Sequence, residues 1–174
     1  MTPESAMRLA IREAERFVGA TSPNPPVGAV ILDEDGTVLS VAAHERAGTA
    51  HAEAKAIEIC RADGTLDRAR SIVVTLEPCN HRGKTPPCSE AILGSPIRRV
   101  VFGSADPNPV ARGGGDRLRS AGLRVESGIE RAACDELLLP FRTRIESGLP
   151  FVTVKTVHLP DGSMIPPPGR KTFS

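Results

Sequence analysis

His51-Ala52-Glu53, answered downstream by Pro78-Cys79 and then Cys88, is the pattern on which the reading of this chain turns. One imidazole and two thiolates suffice to hold a single zinc ion, with the fourth tetrahedral position open to water. A carboxylate two residues after the histidine is not needed as a ligand and is placed to move protons for that water. His51, Cys79 and Cys88 are therefore the candidate ligands for Zn2+, and Glu53 the candidate catalytic acid–base. Eight residues separate the two cysteines and read Asn-His-Arg-Gly-Lys-Thr-Pro-Pro. Both ends of this insertion are tied to the same site, so its middle lies near the reacting atoms. It carries His81, Arg82 and Lys84 in a chain whose formal net charge is only +1. Such local positive charge suits an anionic group such as phosphate; a plain solvated loop is the bland reading.

The flanking sequence places these residues on an alternating set of elements. Ser5 to Val18 has Met7, Ala10, Ile11, Ala14 and Phe17 at helical spacing, with Gly19 as its stop. Thr21-Ser22-Pro23-Asn24-Pro25-Pro26 is a stiff proline-fixed loop. Its Asn24 is read either as a turn residue or as an amide held at a fixed place. Val27 to Leu32 is a continuous apolar strand, followed by a turn at Asp33-Glu34-Asp35-Gly36 and a returning strand from Thr37 to Ala43. His44 comes next, structural or functional. A second helix from Ala50 to Ala62 carries His51 and Glu53 in its first turn, where the helix dipole favours the carboxylate. Ser71 to Leu76 is another buried strand, ending at Glu77-Pro78-Cys79. In an open α/β sheet, strand ends are where ligands bind. Pro86 and Pro87 start a third helix through Leu93, whose first turn should lower the Cys88 thiol pKa.

Farther on, Arg98 to Gly103 is a strand, Asp106-Pro107-Asn108-Pro109 a second rigid loop, and Arg112-Gly113-Gly114-Gly115 a flexible one. The glycines are read as a turn rather than a phosphate cradle. Asp116 to Ala121 is a short helix and Leu123 to Glu126 a strand. Ile129 to Glu146 is one longer helix with Leu137, Leu138, Phe141 and Ile145 inward and a kink at Pro140. Phe151 to Val157 is a last strand, and Leu159 to Ser174 an irregular tail. The order predicts an α/β fold: a three-layer α/β/α domain with a mixed central sheet.

Composition removes several function classes. A chain of 174 residues with 40% hydrophobic and 25% charged residues is an ordinary soluble globular domain. No apolar run approaches the roughly 20 residues of a membrane span, and no secretory signal is expected at Met1. Cysteines in that setting, two of them beside His-x-Glu, read as metal thiolates in a reducing cytoplasm rather than as disulfides. Near-neutral charge and 3% aromatics weigh against nucleic acid as a partner. Cys60 and Cys134 read as small buried hydrophobes and His158 as a surface residue. A structural zinc site would need a fourth protein ligand, for which His81 is the available residue; Glu53 would then have no role.

His-x-Glu followed by Pro-Cys and a second cysteine is the pattern of the zinc deaminases, which normally separate their cysteines by two residues. The longer spacing here, with Lys84-Thr85-Pro86-Pro87, is specific. Together with Thr21 to Val30, His44 to Glu53, Thr75 to Cys88 and Asp106 to Pro109, it resembles the deaminase domain of the riboflavin-biosynthesis bifunctional deaminase-reductases, within the cytidine deaminase superfamily. The resemblance spans most of residues 5 to 157 and implies a cytidine deaminase-like fold. It implies zinc-dependent hydrolytic deamination of a pyrimidine bearing a ribosylamino group and a 5′-phosphate. By the family pattern Asn24 would hold the pyrimidine, and His44, His81, Lys84 and Asn108 the ribose-phosphate end.

Two departures stand out. Val41-Ala42-Ala43 replaces glycines usual before the first histidine. Only the start of a reductase domain is recognisable, in Pro150 to Lys155 and Asp161-Gly162. Residues 1–148 are thus expected to form the deaminase domain, and 149–174 a strand and tail resembling the start of that missing domain. A stand-alone riboflavin deaminase beside a separate reductase, and an enzyme of a related pathway using a similar pyrimidine, both fit. Other nucleobase or nucleoside specificity, or a silent zinc module bound to a reductase, are the rivals. The superfamily's habit of association leads us to expect a homodimer.

Overall fold

Three stretches of this chain, 29–32, 72–74 and 100–102, are unbroken apolar sequence because both of their faces are covered. The computed structural model describes residues 1–82, 86–159, 162, 164 and 169. The strands are β1 (Gly28–Leu32), β2 (Val38–Ala43), β3 (Ser71–Leu76), β4 (Arg99–Ser104) and β5 (Arg124–Ser127). They form one five-stranded sheet in the order β2-β1-β3-β4-β5. β1 is antiparallel to β2 and β3, whereas β3, β4 and β5 run parallel.

Helices α1 (Pro3–Glu15) and α5 (Arg131–Leu137) cover one face. Helices α2 (Ala52–Ala62), α3 (Cys88–Leu93) and α4 (Gly114–Ser120) cover the other. Successive strand residues alternate between these layers. Ala29, Ile31, Ile72, Val74 and Val100 pack with Ala56, Ile57, Ile92 and Leu118. Val30, Leu32, Val73 and Val101 pack with Met7, Ala10, Ile11 and Cys134. Each such Val, Ile or Leu contributes about 1.5–3 kcal/mol on burial, so a polar residue on either face of β1, β3 or β4 would be costly. The expected three-layer α/β/α domain with a mixed sheet is the observed one.

The first layer approaches the sheet closely because glycine stands where it crosses. A Cβ on Gly28 would lie 2.0 Å from the Ala10 carbonyl oxygen, and one on Gly103 would lie 2.2 Å from the Cys134 sulfur. Helix α1 starts with Thr2 as its cap, its hydroxyl accepting from the Ser5 amide at 3.3 Å, and Pro3 fits the first turn. It stops at Glu15, short of the expected Val18, and the chain continues in turns to Gly19, whose φ is +88°.

Three other expectations need correction. Gly114 and Gly115 do not form a flexible loop but open α4, because a side chain there has no room: a Cβ on Gly114 would sit 1.8 Å from the Pro78 oxygen. Only Gly113, at φ +95°, uses glycine's freedom to turn. The helix expected over 129–146 is two helices, α5 and α6 (Leu139–Ser147), since Pro140 lacks the amide that would continue α5. Phe151 to Val157 forms no strand: the segment joins no sheet, and Val152 and Val154 are exposed. Alternating apolar residues favour a strand only where a sheet edge offers partners, and this segment pairs with neither β2 nor β5. Most of the expected irregular tail lies outside the described residues. No helix among the described residues is long and apolar enough to cross a membrane.

Gly28→Ala should lower stability by about 1–3 kcal/mol or more, because α1 must move off β1 to admit the methyl group. Urea unfolding measures this; an unchanged midpoint would contradict the close approach of α1 to the sheet.

Candidate active site

The sheet topology delivers four chain segments to one edge. β3 and β4 are parallel, so Leu76–Cys79 and Ser104–Asn108 leave the sheet on the same side. β1 runs the other way, so the Asn24–Val27 segment enters there, and β2, paired Gly28 to Ala43, ends there with His44. Helix α2 starts close by.

His51 is the N-cap of α2, with extended backbone (φ −68°, ψ 158°), rather than a residue of its first turn. Its carbonyl already accepts from the Lys55 amide at 2.9 Å, while its ring is free to point away from the helix. Nδ1 lies 3.6 Å from the Cys79 sulfur and 3.3 Å from the Cys88 sulfur. The three donor atoms all fall within 4.8 Å of one another, a grouping able to hold a metal ion. Among the described residues His81 does not join it.

The sulfurs are electrostatically unequal. The Cys88 thiol proton, the His51 ring and the Cys88 amide, which donates at 3.4 Å, all favour a thiolate on Cys79. Its pKa falls to about 4 against the opposing effect of burial. Cys88 goes the other way: it holds the proton shared with Cys79 and is buried, so its pKa rises. The lowering expected from its place in the first turn of α3 is outweighed by those two effects. The Cys79 thiolate in turn raises the His51 pKa. Glu53, only 4% exposed, is pushed up to about 7 by burial, with the Cys79 charge adding to the effect.

A pocket of about 200 Å³ opens over this cluster. It brings together Asn24, His44, His51, Glu53, Cys79, His81 and Asn108. Apolar walls come from Pro25, Val27, Leu76 and Ala111. The Asn108 Oδ1 accepts from the Val110 amide at 3.1 Å, and its side-chain nitrogen has no hydrogen-bond partner among the described residues. His81 Nδ1 is buried and has no hydrogen-bond partner among the described residues. A buried polar atom without a partner is costly, so the pocket carries an unmet demand at this point. His44 is 2% exposed, its ring nitrogens 3.1 Å from the Asn24 amide nitrogen and 3.1 Å from the Ala50 oxygen. Lys84 lies outside the described residues.

Three pocket residues were not singled out from sequence. Glu77 uses its two carboxylate oxygens as a clamp: Oε1 accepts from the Gly113 and Gly115 amides at 3.2 and 3.0 Å, and Oε2 from the Asp106 amide at 3.2 Å. It thereby fixes the Asp106–Asn108 loop and the start of α4 beside Cys79. Asp106 is buried, which raises its pKa, and its Oδ1 accepts from the Asn108 amide at 2.8 Å. An acidic residue ending an apolar strand was the available clue for Glu77. Phe141 looked like a core residue of one long helix; with α6 starting anew after α5, it faces the pocket instead.

Comparison with known proteins agrees with this geometry. Residues 1–104 match the family model described as the cytidine and deoxycytidylate deaminase zinc-binding region. The chain is 44% identical over 161 residues to the riboflavin biosynthesis protein RibD of Mycobacterium tuberculosis, covering 91% of this chain and 46% of that protein. It is 41% identical to RibD of Aquifex aeolicus, covering 91% of this chain and 44% of that protein. Its fold superposes on a Thermotoga maritima crystal structure, a diaminohydroxyphosphoribosylaminopyrimidine deaminase/5-amino-6-(5-phosphoribosylamino)uracil reductase. There the TM-score is 0.86 and the identity 41%, over 92% of this chain and 46% of that one. The chain thus spans about half the length of the relatives it matches. It belongs to the cytidine and deoxycytidylate deaminase family, whose zinc-binding region it carries.

Proposed function

We propose that this chain hydrolytically deaminates a phosphorylated ribosylaminopyrimidine, using zinc held by His51, Cys79 and Cys88. The observation that carries this is the grouping of three metal-binding donors with one buried carboxylate, Glu53, at a pocket that His51, Glu53 and Cys79 line. The donor spacing fits the ion. With zinc–sulfur near 2.3 Å and zinc–nitrogen near 2.0 Å, a tetrahedral centre sets sulfur and nitrogen about 3.5 Å apart; the His51–cysteine distances are 3.6 and 3.3 Å. Zinc bound there supplies the Lewis acidity that makes water a nucleophile near neutral pH.

The chain's own residues account for the rest. Glu53 accepts one proton from the attacking water and passes it to the ring nitrogen, then takes the remaining proton of the added hydroxyl and passes it to the departing amine. Carbon–nitrogen cleavage then leaves a carbonyl on the ring and releases ammonia. Burial favours the protonated form of Glu53, which helps a carboxyl to give back the proton it has taken. The flat apolar walls accept a pyrimidine, and Asn24 offers its amide to the ring edge. His81 Nδ1 and the Asn108 side-chain nitrogen, neither with a partner among the described residues, suit the oxygens of a ribose-phosphate. The assignment of substrate leans on the names of the RibD relatives and the Thermotoga enzyme. In this reading residues 1–148 are the deaminase unit. Its product passes to a reductase, carried on a separate chain or on further sequence, and the catalytic unit pairs with a second copy of itself.

Ammonia release from the phosphoribosylaminopyrimidine, with and without its phosphate, tests the function. Turnover of cytidine or guanine alone would contradict it. Cys79→Ser and Cys88→Ser should each lose zinc from a starting content of about one per chain. Elemental analysis reads this, and full zinc in both variants would remove the ligand assignment.

Glu53→Gln should keep zinc and fold yet lose turnover by at least roughly 10²–10⁴-fold, the worth of general acid–base catalysis. Steady-state rates measure it; near wild-type turnover would exclude Glu53 as the proton carrier.

Lys84→Ala should weaken the phosphorylated substrate by about 1.5–3 kcal/mol and barely change its dephosphorylated analogue. The comparison isolates the coupling between lysine and phosphate. Equal losses on both would show that Lys84 does not read the phosphate.

A further inference from the structure

His44 stands between two groups that fix what its ring does. A backbone carbonyl only accepts, so the Nδ1 atom 3.1 Å from the Ala50 oxygen carries a hydrogen. In a neutral imidazole the other nitrogen is then an acceptor, and Nε2 takes a hydrogen from the Asn24 amide nitrogen 3.1 Å away. Neutrality follows from the same geometry: an amide nitrogen carries only hydrogens, so the ring nitrogen it faces must be bare. Turned over, Asn24 would set its oxygen against the Nε2 lone pair, two acceptors face to face. Its oxygen and second N–H therefore keep one order, and neither has a hydrogen-bond partner among the described residues. Asn24 lines the same pocket as Glu53.

We propose that His44 is a positioning residue that locks the Asn24 amide, so that the pocket selects aminopyrimidines presenting a ring donor to the Asn24 oxygen and an adjacent acceptor to its N–H. Both ring nitrogens of His44 are engaged in this task, so neither is left for the ribose-phosphate end that family resemblance gave it. An amide free to flip would accept either order of donor and acceptor. A locked one rejects the reversed edge, which would leave two polar pairs unmet. The lock rests on geometry alone; its consequence for substrate choice rests on the deaminase reading above.

Two measurements test it. Long-range proton–nitrogen correlation of the imidazoles in the zinc-loaded full chain, with His44 assigned by loss of its signal in His44→Gln, reads the tautomer near neutral pH. The proposal requires Nδ1–H with bare Nε2; an Nε2–H or doubly protonated ring overturns it. Deamination by wild type, His44→Leu and His44→Gln is then compared on the phosphoribosylaminopyrimidine and on the free aminopyrimidine base. His44→Leu should lose roughly tenfold in kcat/KM on both, mostly through KM, with zinc content unchanged. His44→Gln, whose side-chain oxygen can accept from Asn24, should recover most of it. A loss confined to the phosphoribosyl substrate would make His44 a ribose-phosphate ligand and overturn the proposal. Absence of wild-type turnover on every aminopyrimidine would defeat the proposed function, while the tautomer would still decide the lock.

Discussion

Three donor atoms from three separate chain segments, held within reach of one ion, form the constraint to which the rest of this fold answers. His51 must start a helix, Cys79 must end a strand, and Cys88 must open the next helix. The three meet only because β3 and β4 run parallel and β1 runs against them. Two thiols and a carboxyl buried together cannot all be charged without a cation among them. The opposed shifts of Cys79 and Cys88, and the raised pKa of Glu53, express that crowding of potential negative charge.

Support for the site comes from groups with no chemistry of their own. Glu77 gathers three backbone amides and so ties the Asp106–Asn108 loop and α4 to the strand end that carries Cys79. Gly114 lets α4 lie against Pro78, where any side chain would collide with its carbonyl. Ser89 and Asn80 join through a 2.9 Å hydrogen bond, and the Asn80 amide donates to Ala111 at 2.8 Å, anchoring the start of the insertion between the cysteines. Reactive side chains are thus placed by a frame of hydrogen bonds and close contacts.

Much of this was legible in the residues. The apolar runs at 27–32 and 71–76 announced buried strands because burial on both faces leaves little place for polar alternation. The His-x-Glu and cysteine pattern located the metal-binding cluster because ligand chemistry admits few residue types. What stayed hidden depended on distance rather than on residue type. Glu77 reads as a charge beside a proline until three amides are seen to converge on it. Gly114 and Gly115 read as slack until Pro78 and Phe102 are seen against them. Phe151 to Val157 has strand composition, yet pairing needs a partner edge, which composition does not supply. Phe141 was placed by a break at Pro140 that resembles a mere kink in sequence.

The central claim is a metal bound by three protein ligands with one position left open. X-ray absorption at the zinc edge of the purified full chain tests it most directly. The account predicts two sulfur neighbours near 2.3 Å, two lighter neighbours near 2.0 Å, and scattering from a single imidazole. A different number of sulfurs, or two imidazoles closing the shell through His81, would contradict it.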